Sequence, residues 1–510
     1  MRHATSLPRA AARARAFLRG VAMILIGIDV GTTGLKAVAL DGAGRLLRER
    51  VSRYPTRLRG WAAEQDAEAW WTAARTVLPP VVAGERVLGV AVTSQAPTLA
   101  PVDRGGRPTG PALTWIDRRG AAEAEEIARL LGGDPRNPAD PSSGTSKLLW
   151  AQRHTAHLDQ ADAALTANGF LVRKLTGEST LDESSAGMLQ GWEDGFPPEL
   201  AAKVPVDLLP PAVPCTTTVG EVTANAAATT GLPPGTPVVA GGIDAVGAAL
   251  EAGVFAPGDP TVEMTGFSTV AIQAVPRGAR FPGLIHTRHC VPGVDLVLAA
   301  QNSTGAVLDW LCRTTGVDTT TVVLPRRRPS RVMLLPSFAG DRTPTWQARS
   351  RGALVGLDLA CAPSDLLLAL YEGTALALRE CLERMRPRTA PGSGRPSPLR
   401  CVGGGARSRE WLQVKADVLG HEVEVPAQAH GAAVGAALLA GLGIDHFAGV
   451  EQLRPKSRSS RARYLPDPGL HAAYTRRLTS FLALRDALAL HDALEPCATE
   501  LVDDSEGDAR

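Results

Sequence analysis

The sequence lacks any pair of cysteines at the spacing of a metal or redox site. Its seven cysteines are scattered along the 510 residues, at positions 215, 290, 312, 361, 381, 401 and 497. Because none of them forms a C-x-x-C pair, the sequence predicts neither a disulfide framework nor a structural zinc site. Scattered free cysteines are typical of a reducing compartment, so we expect a cytoplasmic protein.

Long apolar runs and a strong net charge are also missing. The most apolar segment, residues 431–443 (GAAVGAALLAGLG), is shorter than the roughly 18 to 20 residues that a membrane span needs. Lys and Arg total 54 against 52 Asp and Glu, which leaves a formal charge of +2. Proteins that coat nucleic acid carry a clear positive excess. We therefore expect no membrane and no nucleic acid among the partners.

The length exceeds what one hydrophobic core usually organises, and it predicts two large domains, at 23–253 and 254–490. Residues 1–22 are rich in Arg and lack acidic residues, which superficially resembles a transit peptide. We interpret them instead as a disordered or misassigned extension before Met23. Residues 491–510 are acidic, and we expect a disordered tail there.

An acidic residue interrupts the apolar stretch at residues 25–41 (LIGIDVGTTGLKAVALD), which reads as strand, glycine turn and strand. A buried carboxylate such as Asp29 costs several kcal/mol unless a partner offsets its charge. Gly31 lets the turn backbone approach a ligand, and Thr32 and Thr33 add hydroxyl donors, which suits phosphate oxygens. Asp29 can hold a hydrated Mg²⁺ against those phosphates. The alternative is an ordinary turn with Asp29 capping its own backbone.

A second glycine-tipped hairpin follows about 230 residues later, at 260–275 (PTVEMTGFSTVAIQAV), and predicts an internal duplication. Thr265, Gly266 and Ser268 are candidates to hold the same phosphate chain from the opposite domain. Two further glycine segments predict a bare surface for adenine and ribose. They are NSTGAVLDWL, with Gly305, and LRCVGGGARSREWLQVKADVLG, with Gly404 and Gly405.

The segment VVAGGIDAVGAAL places Asp244 after two glycines at a predicted helix start. Phosphoryl transfer requires positioning, charge neutralisation and a carboxylate that accepts the hydroxyl proton. Asp244 suits the role of that general base. The alternative is that Asp244 simply caps the helix.

Taken in order, these motifs resemble those of the FGGY family of carbohydrate kinases, from Met23 to about Leu488. Further landmarks of the resemblance are GWAAEQDAEAWW, PALTWIDRR, SKLLWAQRH, FLVRKLTGE and AGDRTPTWQARSRGALVGL. The resemblance implies an α/β fold of two ribonuclease H-like domains of the actin/hexokinase/Hsp70 type, with the active site in the cleft between them. It also implies ATP and Mg²⁺ as cofactors and a sugar as the second substrate.

By position, the resemblance also assigns roles to individual residues. Asp29 and Asp244 would lie beside Mg²⁺, and Asp244 would also contact the substrate as general base. The remaining residues would hold the nucleotide and its phosphates, and they are Gly31, Thr32, Thr33, Gly266, Ser268, Gly305, Gly404 and Gly405. The expected sugar contacts are Gln95, Asp117 and Trp150, although packing within a helix is an equal interpretation of Trp150.

Within the family, SKLLWAQRH and the chain length most resemble xylulokinases, which favours a ketopentose such as D-xylulose. The chain departs from the xylulokinase pattern at residues 96–98 and at Ala245, where an amide side chain is usual, and Phe267 replaces a threonine. Other sugars or polyols, such as ribulose or an erythritol-type polyol, therefore stay open, as does a non-catalytic sugar sensor. The oligomeric state is open too, with a homodimer as one option.

Overall fold

The computed structural model describes residues 23–132, 136–138, 140–324, 328–386, 397–426, 430–454 and 460–494. The extension predicted at residues 1–22 lies outside them. Of the tail predicted at 491–510, residues 495–510 also lie outside, whereas the last helix continues to Leu494. In the described parts of the chain, no helix is both long and apolar enough to cross a membrane.

The strands are numbered in chain order. They are β1 Met23–Val30, β2 Gly34–Asp41, β3 Leu46–Arg53, β4 Arg57–Arg59, β5 Ala62–Gln65, β6 Arg86–Ser94, β7 Leu99–Val102, β8 Ala112–Leu113, β9 Ala163–Thr166, β10 Leu181–Asp182, β11 Ala212–Val213, β12 Thr218–Glu221, β13 Pro237–Ile243, β14 Val262–Thr265, β15 Thr269–Pro276, β16 Ile285–Arg288, β17 Val294–Gln301, β18 Met333–Leu335, β19 Ala353–Val355, β20 Leu399–Gly403, β21 Val423–Pro426 and β22 Ser460–Tyr464.

The α-helices are numbered in the same way. They are α1 Ala67–Val82, α2 Ala121–Leu131, α3 Gly144–His154, α4 Ala167–Thr176, α5 Glu183–Ala186, α6 Pro198–Ala201, α7 Ala224–Thr230, α8 Asp244–Ala252, α9 Thr304–Thr315, α10 Pro363–Arg384, α11 Arg409–Leu419, α12 Ala432–Gly443 and α13 Pro468–Leu494.

Two large sheets of six and seven strands share the same central arrangement, which agrees with the predicted duplication. The first has the order β12-β13-β6-β1-β2-β3, and the second has the order β16-β17-β15-β14-β20-β21-β22. In each sheet an antiparallel hairpin, β1–β2 or β14–β15, pairs through its first strand with a parallel strand, β6 or β20. Both predicted hairpins are therefore confirmed, and the chain has a mixed α/β fold.

A smaller sheet of order β4-β5-β8-β7-β9 extends the N-terminal half. Helix α4 packs between this sheet and the first large sheet, against β9, β6 and β13. The segment that carries Asp117 follows β8, and Trp150 lies on α3. The segments predicted to recognise the sugar are thus built onto the domain that carries the first hairpin.

Helix α12 packs on the first sheet and on helix α8. It lies within residues 254–490, which the sequence predicts to form the C-terminal domain, yet it contacts the N-terminal one. Small residues permit this close approach. A Cβ atom added at Gly435 of α12 would lie 1.9 Å from the carbonyl oxygen of Gly247 on α8. One added at Gly27 of β1 would lie 2.0 Å from the carbonyl oxygen of Ala433. The glycine-rich composition of 431–443 is therefore a packing requirement.

Replacing Gly435 by Ala is expected to lower the stability of the protein, because the new methyl group meets backbone atoms of α8. Overpacking of this kind costs about 1–3 kcal/mol or more. Chemical denaturation with urea, followed by far-ultraviolet circular dichroism, measures the change. The control is Gly449→Ala, since a Cβ atom at Gly449 meets no atom within 4 Å. Equal unfolding midpoints for Gly435→Ala and the control would contradict this explanation.

Candidate active site

Asp29 and Asp244 lie at the same edge of the first sheet. Strands β1, β6 and β13 run parallel to one another, so their carboxyl ends meet at one edge. Asp29 is the penultimate residue of β1, and Asp244 begins helix α8 directly after β13. Ile243, and not Asp244, occupies the N-cap position of α8. The structure thus brings together two acids that are more than 200 residues apart in the sequence.

Burial raises the pKa of Asp29 to about 6. Two neighbours act in the opposite direction: the hydroxyl of Thr93 donates to Asp29 Oδ1 at 3.1 Å, and the ammonium group of Lys36 attracts the charge. Thr93 is opposite Asp29 in the β1–β6 register, and Lys36 is opposite it in the β1–β2 register. The two strands that flank β1 therefore each supply one group that favours the charged carboxylate.

Burial also raises the pKa of Asp244, to about 7, and the negative charge of Asp29 raises it further. The backbone N–H of Ala245 and the guanidinium group of Arg342 oppose this shift. The preceding Gly241 has φ +84°, and a Cβ atom there would lie 1.8 Å from the carbonyl oxygen of Val92. Only glycine fits this position, which sets the turn that leads β13 into Asp244.

The tip of the first hairpin is held by neighbouring side chains. The N–H of Gly31 donates to the carbonyl oxygen of Gly34 at 3.0 Å, and the hydroxyl of Tyr54 donates to the carbonyl oxygen of Gly31 at 2.7 Å. The indole N–H of Trp115 donates to the Thr32 hydroxyl at 2.9 Å. Thr33 is exposed at the tip. The turn is thus preorganised, and the hydroxyl hydrogen of Thr32 is still able to reach a phosphate.

The tip of the second hairpin consists of Gly266, the exposed Phe267 and Ser268. Gly266 is exposed, and its N–H donates to the carbonyl oxygen of Ser268 at 2.8 Å. The hydroxyl of Thr265 points inward instead, to the buried Glu263 and to Lys415 Nζ at 3.3 Å. Thr265 therefore does not replace the tip hydroxyl that is lost at the Phe267 position.

Three of the predicted nucleotide glycines surround this second hairpin. A Cβ atom at Gly305 would lie 2.0 Å from the carbonyl oxygen of Gly266, and one at Gly405 would lie 2.7 Å from Cβ of Thr265. Gly404 is exposed beside them, and a Cβ atom there would be 3.8 Å from the carbonyl oxygen of Thr265. The hairpin tip, the start of α9 and the end of β20 thus pack closely together, and Phe267 is exposed at the tip.

The predicted sugar contacts are held by other protein groups. The Gln95 side chain is buried, and its Nε2 donates to Gln65 Oε1 at 2.7 Å. The Asp117 carboxylate accepts from the N–H of Ala63 at 2.9 Å and from the Arg119 guanidinium at 2.7 Å. Arg119 in turn lies 4.2 Å from the centroid of the Trp150 ring. Asp117 and Trp150 are thus joined through Arg119, whereas Gln95 belongs to the network behind the first hairpin.

The sequence matches the N-terminal domain of the FGGY family of carbohydrate kinases over residues 24–250 and the C-terminal domain of the same family over residues 270–444. The chain belongs to this family. It is 28% identical to the xylulose kinase of Escherichia coli K12, over 91% of this chain and 99% of that protein. It is also 28% identical to the erythritol kinase of Brucella abortus, over 91% of this chain and 96% of that protein.

Solved structures agree with this assignment. The xylulose kinase of Rhodospirillum rubrum superimposes with a TM-score of 0.76 at 27% identity, over 91% of this chain and 98% of that one. The two-domain architecture expected for FGGY kinases is therefore confirmed. The chain is a sugar kinase with a sugar and ATP as its substrates.

Several residues of this FGGY kinase site were not singled out from the sequence. Arg342 is only 8% exposed, and its Nε donates to Asp140 Oδ2 at 3.2 Å. The buried Lys147 Nζ donates to the carbonyl oxygen of Pro97 at 2.7 Å, which holds the turn after Gln95. Both lie in segments that carry the family resemblance. Their charge within such a segment was the feature by which the sequence could have indicated a place in the site.

Replacing Asp244 by Asn is expected to stabilise the ligand-free protein more at pH 8 than at pH 5. The pKa of Asp244 is raised to about 7, so the folded protein keeps a proton that the unfolded chain loses from about pH 4. Stability therefore falls as the pH rises from about 4 through 7, and a neutral amide avoids that loss. Thermal unfolding at both pH values measures the effect, which we expect to exceed about 2 °C at pH 8.

The matched control is Asp309→Asn, which alters an exposed carboxylate on α9. We expect this variant to unfold at the wild-type temperature at either pH. A gain for Asp244→Asn that is the same at pH 5 and pH 8 would show that the carboxylate is not held in its neutral form.

Proposed function

We propose that the chain transfers the γ-phosphate of ATP to a hydroxyl of a ketopentose such as D-xylulose, in the cytoplasm. The observation that carries the proposal is the pair Asp29 and Asp244 at one sheet edge, at the base of the first phosphate hairpin. The similarity to xylulose kinases supports the choice of substrate.

In this proposal Asp244 is the general base. In the ligand-free protein its pKa is about 7, so Asp244 accepts a proton more readily than an exposed carboxylate does. Asp244 takes the proton of the sugar hydroxyl while that oxygen attacks the γ-phosphorus; the bond from the γ-phosphorus to the β–γ bridging oxygen breaks, and ADP leaves. Thr32 and Thr33 hold phosphate oxygens by their hydroxyl groups and the turn backbone. Domain closure would exclude water that otherwise hydrolyses ATP.

The donor set of the pair fits Mg²⁺. Within the described ranges, no group of three or more His, Cys, Asp or Glu side chains surrounds a common point. Mg²⁺ is usually held by one or two carboxylates together with substrate phosphates and water, so Asp29 and Asp244 suffice. When bound, the ion would neutralise phosphate charge during transfer.

The nucleotide is proposed to lie on the surface formed by the second hairpin, the start of α9 and the end of β20. Gly266 and Ser268 would contact the phosphates, while Gly305, Gly404 and Gly405 would lie against the adenosine. Because a Cβ atom at Gly305 or Gly405 meets backbone or Cβ atoms within 2.7 Å, these positions exclude side chains. They let the start of α9 and the end of β20 pack against the second hairpin, and the exposed Gly404 offers backbone to the nucleotide.

A polyol is the second candidate substrate, because the chain is equally similar to an erythritol kinase. Ribulose stays an option among the ketopentoses. Gln95, Asp117 and Trp150 are the proposed sugar contacts, and Asp117 would act mainly by orienting Arg119. A sensor without turnover is disfavoured by the presence of both acids.

A substrate panel tests the proposal. Release of ADP from Mg²⁺–ATP is measured with pentuloses, tetritols, hexuloses and glycerol, and we expect the highest kcat/KM with a pentulose. Asp244→Ala is expected to lower kcat by about 10²- to 10⁴-fold, the usual contribution of a general base.

Asp309→Ala serves as the control in this assay and should keep wild-type turnover. If no sugar raises ADP release above background, the kinase proposal fails in favour of a sensor. If a tetritol is preferred to every pentulose, the polyol replaces the ketopentose as substrate. Full turnover by Asp244→Ala would refute the base assignment.

A further inference from the structure

A cleft with a cavity volume of about 20 Å³ lies between the two domains. Its walls come from both halves of the chain. They include Pro97, Asp140 and Gln190 of the N-terminal domain and Ile285, Arg342 and Trp346 of the C-terminal domain. This volume suits a single hydroxyl group or one water molecule.

The amide of Gln190 has no partner in this cleft. The residue is 1% exposed, yet neither its Oε1 nor its Nε2 has a hydrogen-bond partner among the described residues. Its backbone, in contrast, is fixed: the N–H donates to Ser143 Oγ at 3.0 Å, and the carbonyl oxygen accepts from Thr145 Oγ1 at 3.3 Å. A buried amide without partners is costly, which makes it a candidate for binding a ligand.

Arg342 connects this cleft to the catalytic acid. Arg342 lines the cleft and forms an ion pair with Asp140. Its positive charge also lowers the pKa of Asp244, which burial and the charge of Asp29 raise. The cleft and the catalytic acid therefore share Arg342 as a charged neighbour.

The wall that carries Gln190 is also tied across the domains. The amide of Asn137 donates to the carbonyl oxygens of Gly187, at 2.7 Å, and of His286, at 3.0 Å. The N–H of His286 donates back to Asn137 Oδ1 at 2.7 Å. The Gln190 segment is thus held against the C-terminal domain, so its amide has a defined position for a ligand.

We propose that Gln190 is a specificity-determining residue whose amide binds a sugar hydroxyl at the end remote from Asp244. A carboxamide both donates and accepts hydrogen bonds, so it pairs with a hydroxyl in either direction. The chain has Ala245 directly after the catalytic acid and so lacks an amide there. Gln190 supplies one from another segment. This inference rests on the proposed kinase function.

The test replaces Gln190 by Leu, which has a similar size and no polar atoms. We expect KM for the preferred sugar to rise about tenfold, with kcat and KM for ATP within about twofold of wild type. A series of mono-deoxy sugars is then compared. The wild type should discriminate against one of them by about tenfold, and Gln190→Leu should lose that discrimination while keeping the others.

Gln273→Leu is the matched control, because the Gln273 amide oxygen is likewise buried without a partner but lies on β15, outside this cleft. It should retain the wild-type KM. Thermal unfolding of both variants shows whether each is folded. An effect on KM that is equal in the two variants, or unchanged deoxy-sugar discrimination in Gln190→Leu, overturns the inference.

Failure of the proposed function is distinguishable from failure of this inference. If Gln190→Leu has the wild-type KM, the inference is wrong and the kinase function stands. If the wild type phosphorylates no sugar, the kinase function is wrong. Calorimetric titration of the same sugars without nucleotide then decides the inference: tighter binding by wild type than by Gln190→Leu supports it, and equal or undetectable binding overturns it.

Discussion

Asp29 and Asp244 are two carboxylates held close together at a place where burial makes their charges unfavourable. Burial raises the pKa of both, and the charge of Asp29 raises the pKa of Asp244 further. Thr93, Lys36 and Arg342 offset part of this effect. Such a pair lowers the stability of the ligand-free protein. Buried acids of this kind are typical of a site whose ligands carry the compensating charge.

The duplicated topology explains how this pair meets a nucleotide surface. Each sheet places a hairpin next to a parallel strand, so that both tips belong to equivalent positions of the two domains. The first tip has the hydroxyl groups of Thr32 and Thr33 beside the acids, and the second has the exposed Gly266 and Phe267. Helix α12 returns to the first sheet through the contact of Gly435 with Gly247, which ties the end of the nucleotide domain to the helix that begins with Asp244.

Sequence patterns predicted the local parts of this site well. The hairpin at 25–41 and the helix start at Asp244 follow from apolar runs broken by glycine, which act over a few residues. The inward turn of the Thr265 hydroxyl depends on Lys415, 150 residues away, and the position of Arg342 depends on a partner 202 residues away. No local pattern encodes such contacts. The family resemblance assigned roles to individual residues. It did not indicate which of their side chains form hydrogen bonds with other protein groups.

The most direct test of this account is the proton balance of Mg²⁺–ATP binding near pH 6.5, from titration calorimetry in two buffers of different ionisation enthalpy. With pKa values of about 6 and 7, Asp29 and Asp244 are partly protonated in the free enzyme at this pH. Bound cation favours their charged forms, so the account predicts release of roughly one proton. The Asp29→Asn, Asp244→Asn double variant should release none. Tight binding by the wild type without net proton release would contradict the account.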